Sequence, residues 1–376
     1  MVDRVNKVMY KVLVFGMTTN IGGIESFIMS YYKRFDRTKI HFDFLCNTHE
    51  KIAYEDDLQE LGSKIFKVSM RSKHPIKYHK EINHFFKKHA SAYDCVWVNV
   101  NSLANIDYLK LAKKYGIKRR IIHSHNSQNM DGKLRELLHF YHKKRITDFA
   151  TDFWACSPLA AKWFYEDNLL PQVEIIKNAI DLKRVKFDRQ KRVKIREKYN
   201  LENNLVIGNV GRLHFQKNQV FALDLLKNLI KENPNIKMVF VGNGPDKKEL
   251  MKKVNNLNLG KHVIFAGIQK DISGWLSTFD LFLFPSKFEG LPIAGLEAQG
   301  NGLPIVASEN AIPKEAALND NLAILSLEDN TEKWCDAILK YSHLSRINSK
   351  KIENNFKKFG YEINAAVPIL ENKFNK

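Results

Sequence analysis

The stretch DLFLFPSKFEGLPIAGLE, residues 280–297, passes from an apolar run into a helix-like segment, and its second part, FEGLPIAGLE (288–297), carries only two charges, Glu289 and Glu297. The continuous apolarity of LFLF is what a strand buried on both faces requires. Pro292 suits the first turn of a helix, where its missing N–H would have no partner. Similar runs recur before it, among them KVLVFGM (11–17), FDFLCNT (42–48), YDCVWVNV (93–100), RRIIHSHN (119–126), LVIGNVGRL (205–213) and IKMVFVGNG (236–244). Amphipathic segments such as ESFIMSYYKRF and QVFALDLLKNLIKE separate them. Strand and helix in alternation imply parallel sheets with helices on both sides, and here two such sheets.

The charged stretch 181–204 shows little apolar periodicity and reads as a linker between domains at 1–180 and 181–355. Residues 356–376 read as a helical tail that packs back on the first domain. Two domains joined in this way are expected to leave a central cleft, the usual place for a ligand.

With 376 residues, 44% hydrophobic and 27% charged, the chain can bury a sizeable core and has the balance of a globular protein. A formal net charge of +19 must attract something anionic: nucleic acid, phosphorylated small molecules or an acidic lipid surface. The four cysteines lie far apart with no C-x-x-C pair, which indicates neither a disulfide framework nor a zinc ribbon and suits a reducing cytoplasm. The N-terminus lacks the pattern of a secretory signal, and no run reaches the ~18 apolar residues that span a bilayer. Any membrane contact is expected to be peripheral.

The end of a strand facing the start of a helix is where open α/β sheets bind phosphates, because free N–H groups and the helix dipole both point at the ligand. Gly290, Leu291 and Pro292 form that approach. Two glutamates would repel a phosphate, so their partners are expected to be hydroxyls on either side of it, as in a nucleotide-sugar. Arg212 and Lys217, in NVGRLHFQKN (209–218), supply cations at another strand end, enough together to offset a charge of about −2. In the first domain Gly22 and Gly23, in MTTNIGGIES (17–26), open a helix as a backbone cradle without the G-x-G-x-x-G spacing of a nicotinamide site. In IIHSHNS (121–127), His123 and His125 are expected to alternate to opposite faces of a strand. One then faces the cleft, and His125, nearer the carboxyl end, is chosen to contact a transferred sugar. Alternation makes joint metal coordination by the two unexpected, and no nearby cysteine completes a site.

Taken in order, Gly22–Gly23, His125, NAID (178–181), GRL followed by Lys217, VGNGP (241–245) and the E-x7-E element ending the opening stretch resemble a retaining glycosyltransferase of family 4. The resemblance spans nearly the whole chain and implies the GT-B fold, two Rossmann-like domains facing a cleft, with acceptor bound by the first and nucleotide-sugar by the second. It implies that Glu289 binds donor-sugar hydroxyls, Glu297 the nucleotide ribose, Arg212 and Lys217 the diphosphate, and the backbone of Gly290–Pro292 the phosphates. Gly22, Gly23 and Asn178 join the donor site and His125 lies beside the reacting sugar. It further implies metal-independent transfer with retention and no cofactor. Ala179 departs from the glycine that many relatives place after the asparagine, and HSHN is similar to transferases that build capsular or exopolysaccharide.

The expected partners are therefore a nucleotide-sugar, read as a UDP-sugar, and a saccharide or polyprenyl-diphosphate-linked acceptor, with no nucleic acid. The basic segments KYHKEINHFFKKH (77–89), KLAKKYGIKRR (110–120) and KLRELLHFYHKKR (133–145) are expected to rest on anionic lipid at the inner membrane face of a cytoplasmic protein. Two other classes compete. Paired carboxylates also serve glycoside hydrolases or phosphorylases, a reading that leaves Arg212 and Lys217 without a task. The +19 charge would suit a nucleic-acid binder, for which no zinc-finger or RRM signature appears.

Overall fold

The computed structural model describes residues 9–127, 132–290 and 293–375. These divide into two compact units, one running up to Ala179 and joined by the segment that begins at Ile363, the other spanning Ile180–Glu362. The first holds β1 (Tyr10–Phe15), β2 (Ile40–Cys46), β3 (Ile65–Lys67), β4 (Cys95–Val100), β5 (Arg119–Ser124), β6 (Asp152–Ala155) and β7 (Glu174–Ile175) in one parallel sheet of order β3-β2-β1-β4-β5-β6-β7. The second holds β8 (Leu205–Val210), β9 (Ile236–Val241), β10 (Val263–Gly267), β11 (Leu281–Phe284), β12 (Ile305–Ser308) and β13 (Leu322–Leu325) in the parallel order β10-β9-β8-β11-β12-β13.

Both sheets reverse their strand order at an inner pair, β1/β4 in the first and β8/β11 in the second. At such a switch point the connections following the two strands leave on opposite faces and open a crevice at the carboxyl ends. The opening stretch of the sequence contains β11, so its loop leaves from the switch point of the second sheet. The apolar runs are buried as a parallel sheet demands, with Leu281, Phe282, Leu283 and Phe284 all at 0% exposure.

The helix Ile363–Phe374 belongs to the first unit. Phe374 fills the core between Phe42, Trp97 and Trp154, at ring-centroid distances of 5.5, 5.3 and 5.4 Å. Arg119 Nη1 donates to the Phe374 carbonyl at 3.0 Å, and the Glu371 carboxylate accepts from the Asp36 N–H at 2.5 Å.

The charged stretch 181–204 is not a linker. It lies in the second unit and contains the helices Leu182–Val185 and Arg189–Lys198. Arg192 and Arg196 each meet Asp280 at 2.6 Å, and Arg192 Nη1 also donates to the carbonyls of Ser277, Thr278 and Phe279 at 2.9–3.0 Å. The last carbonyls of the helix Ile272–Thr278 have no acceptor role inside it and take cations instead. Apolar periodicity could not reveal a helix that docks through its charges.

Candidate functional site

The loops after β8 and β11 are stitched together within the second unit. Gln216 makes three hydrogen bonds: its carbonyl accepts from the Lys287 N–H at 2.8 Å, and its side-chain amide donates to the Phe288 carbonyl at 2.9 Å and to Glu289 at 3.4 Å. Lys217 Nζ donates to Glu289 Oε1 at 2.5 Å, and the Glu289 N–H donates to the Asn310 carbonyl at 3.0 Å. Glu289 is 6% exposed, so this ion pair is largely withdrawn from water. Gln219 donates to the Arg212 carbonyl at 3.1 Å and to buried Asn209, which donates to the Leu283 carbonyl of β11 at 2.9 Å.

This geometry changes the charge arithmetic expected from the sequence. Lys217 is matched by Glu289, and the two do not act as separate groups. Arg212 is exposed, and its guanidinium has no partner among the described residues. With Lys287, exposed on the loop after β11, it is a cation left to meet an anion.

Two glycines explain VGNGP (241–245). A Cβ on Gly242, whose φ is +136°, would stand 2.0 Å from the Gly211 carbonyl oxygen, and one on Gly244 would stand 2.1 Å from that of Leu213. The loop after β9 therefore lies directly against the backbone that carries Arg212. Larger residues at either position would push that backbone away.

Glu297 lies in the helix Ile293–Gly300 that follows β11. Burial pushes its carboxyl up to about 7, opposed by the nearby charge of Arg184. Leu291 and Pro292 lie outside the described residues; Gly290 is buried at the end of the loop.

In the first unit three motifs converge on the helix Gly23–Tyr32. Gly22 caps it, and its carbonyl accepts from the Ser26 N–H at 3.0 Å. Glu25, 4% exposed, reaches back to the Thr18 hydroxyl at 2.6 Å and N–H at 3.1 Å, which ties the glycine loop to the helix. Gly23 is exposed, and a Cβ there would meet nothing. Phe27, one turn on, packs against the rings of His123 and His125 at 5.3 and 5.2 Å. Tyr31 donates to the Lys177 carbonyl at 2.6 Å, next to buried Asn178. Ala179 has no positive φ and packs in the core, so alanine fits where the resemblance expected glycine.

The two histidines do not face opposite ways. Their ring centroids are 4.0 Å apart, because residues two apart on an extended chain share a face. The expectation of opposite faces misapplied the period of the strand. His123 is at 0% exposure, and neither ring nitrogen has a hydrogen-bond partner among the described residues; burial holds it neutral, well below the usual imidazole range. Burial also takes His125 down to about 3. Asn99 donates to the Phe15 and Trp97 carbonyls at 3.3 and 3.5 Å, which leaves its oxygen to accept from His125 Nε2 at 2.9 Å. The proton therefore sits on Nε2, and Nδ1 of His125 keeps a lone pair.

Sequence reasoning missed Asn99, Asn209, Gln216 and Gln219. All four are buried amides beside motif residues, a signal available in retrospect as polar residues in apolar surroundings.

Residues 191–362 match the family model described as "Glycosyl transferases group 1". Among curated proteins, the chain is 28% identical over 368 residues to the putative glycosyltransferase EpsF of Bacillus subtilis (strain 168), covering 95% of this chain and 94% of that one. It is 26% identical over 342 residues to the capsular polysaccharide biosynthesis glycosyltransferase CapH of Staphylococcus aureus, covering 88% and 90%. Among solved structures, Anabaena Alr3699/HepE in complex with UDP and glucose superposes with a TM-score of 0.80 at 17% identity, over 98% of this chain and 100% of that one.

Proposed function

From a chain that carries a group 1 glycosyltransferase domain on the GT-B fold, we propose a retaining glycosyltransferase of family 4 that moves a sugar from a UDP-sugar to a lipid-linked saccharide. The product would be a capsular or exopolysaccharide. The single observation that carries the reading is the β8/β11 switch point, where the loop after β8 carries both the exposed, unpartnered Arg212 and the Lys217 of the buried Lys217–Glu289 pair. The anion-binding group and the hydroxyl-binding group of a nucleotide-sugar site belong side by side in this way. The complex of a structural neighbour, HepE, with UDP-glucose supports UDP as the nucleotide.

In this reading Arg212 meets the diphosphate, and Lys217 bridges between it and Glu289. As the bond from the anomeric carbon to the diphosphate breaks, negative charge grows on the leaving oxygen, and cations already held in place stabilise it. Glu289 accepts hydrogen bonds from sugar hydroxyls, and Glu297 from the ribose. Asn178 and the backbone of Gly22 and Gly23 line the sugar, while His125 offers Nδ1 as an acceptor. No metal takes part, and the site is expected to work in excess EDTA. A hydrolase reading gives Lys217 no reason to be bonded to one of its two acids.

In this reading the protein works at the inner membrane face, where such an acceptor would reside; among the described residues no helix is long and apolar enough to cross a membrane. The test is a thermal-shift screen with UDP, GDP and ADP, followed by product analysis with labelled UDP-sugars. UDP should raise the melting temperature more than the others, because a ligand of the folded state stabilises it. Transfer should yield an α-linked product from an α-linked donor by NMR. Absence of any nucleotide response sinks the reading.

A further inference from the structure

Three basic segments could rest on lipid by their sequence, and the structure separates them. The helix Pro75–His89 spends its apolar face on the core, burying Tyr78, Ile82, Phe85 and Phe86. The helix Asp107–Lys114 does the same with Tyr108, Leu109 and Ala112. The helix Lys133–Lys143 is built the other way round.

Its inward side is polar. His139 Nδ1 accepts from the Leu103 N–H at 3.0 Å, and His142 Nδ1 donates to the Leu103 carbonyl at 2.7 Å, so the two imidazoles cap both backbone groups of one residue. The His139 ring also stacks on Trp163 at 4.4 Å. Burial lowers His139 to about 4 and lowers His142 too, so both stay neutral around pH 7 and the helix remains anchored.

Its outward side is apolar. Leu134 is 72% exposed, Leu137 67%, Phe140 44% and Tyr141 53%. Their spacing places them on one face of a 3.6-residue helix. Exposed Lys133 and Lys144 fall on the same face, while Lys143 turns back to the Lys162 and Trp163 carbonyls. Arg145 lies against Tyr141, bonded to its hydroxyl at 2.6 Å. A helix that buries histidines and shows water Leu134 and Leu137 needs something to cover them.

We propose that the helix Lys133–Lys143 docks the protein on an anionic phospholipid bilayer, with Leu134, Leu137, Phe140 and Tyr141 entering the headgroup boundary and Lys133 and Lys144 meeting lipid phosphates. The proposal deepens the lipid-linked-acceptor reading and rests on it. Charge complementarity selects this occupant: the stripe is rimmed by cations on a chain of net charge +19. A four-residue stripe also falls far short of the roughly 800 Å² per partner of a stable protein interface, whereas a bilayer needs only shallow apolar insertion with basic flanks.

The experiment is flotation of the purified full chain with vesicles of phosphatidylcholine alone or with phosphatidylglycerol added. Wild type should float with the anionic vesicles, less so at high salt. The double variant L137N/F140S should bind them at least ~10-fold more weakly while keeping the wild-type thermal shift with UDP. Equal flotation of variant and wild type overturns the proposal. So does wild type that fails to float yet answers to UDP, an outcome that leaves the donor reading intact. Loss of self-association in L137N/F140S by light scattering, without any lipid binding, assigns the face to a second copy of the chain and likewise overturns it.

Discussion

At the switch point of the second sheet, Gln216, Gln219 and the Lys217–Glu289 pair join two loops that are some 70 residues apart in the chain, although the buried His214 Nδ1 and Ser286 Oγ there have no partner among the described residues. In the first unit, the loop after β1 is tied to its helix by Glu25, and the paired histidines beside it carry ring nitrogens that no described residue engages. A site with its polar groups already bonded is preorganised for one ligand shape. A site with few such bonds takes its specificity from whatever ligand supplies the missing partners.

The sharpest way to break this contrast is to remove the unpartnered Arg212. Arg212→Ala should melt like wild type, since its guanidinium holds nothing in the described structure. It should nevertheless lose the UDP thermal shift and slow transfer roughly 10²–10³-fold, the scale for deleting a preplaced donor to developing charge. His125→Ala in the first unit should keep the UDP shift and lose about tenfold in transfer, the worth of one hydrogen bond. If the two variants exchange phenotypes, the assignment of nucleotide to the second unit is wrong.

A second comparison is sharpened by a double-mutant cycle on the ion pair. Lys217→Met alone leaves the buried Glu289 carboxylate without its cation, and Glu289→Leu alone leaves Lys217 unmatched. Each should cost on the order of 3 kcal/mol by urea denaturation. The double variant should recover ~1–3 kcal/mol of the summed loss and stay inactive. Strictly additive losses would mean that the pair is not coupled.

Much of the fold was legible because a strand buried on both faces must read as an unbroken apolar run, and LFLF, VLVF and VFV do. Glu289, Glu297, Arg212 and Lys217 stood out for a related reason, as charges at the ends of such runs. What stayed hidden depends on tertiary contact. The bond between Lys217 and Glu289 joins two loops that only the β8/β11 pairing brings together. Arg192 and Arg196 looked like solvated charges until Asp280 was placed beneath them. The segment 133–145 read only as a basic stretch, and composition does not say which face of a helix turns inward; two histidines on one backbone residue decide that.

The remaining effect concerns Glu297 and is read through pH. Its folded-state pKa of about 7 lies above the ordinary carboxyl value of 4.5, so between those values the folded protein holds a proton that the unfolded chain releases. Stability must then fall as pH rises from about 4.5 to 7, and the penalty is complete above 7. Its ceiling is on the order of 3 kcal/mol, and partial exposure of the side chain reduces it. Glu297→Gln removes the titration, so this variant should melt above wild type at pH 8 and level with it near pH 4. Ligand binding should run the opposite way. A ribose hydroxyl donates best to the ionised carboxylate, so UDP affinity in wild type should weaken as pH falls through 7, by up to tenfold per pH unit, and that trend should vanish in Glu297→Gln. The preassembled second unit thus keeps one costly feature, a carboxylate forced to ionise in a poorly solvated place, and nucleotide hydroxyls are the groups that would repay it. Parallel pH trends in the two proteins would remove Glu297 from the ribose.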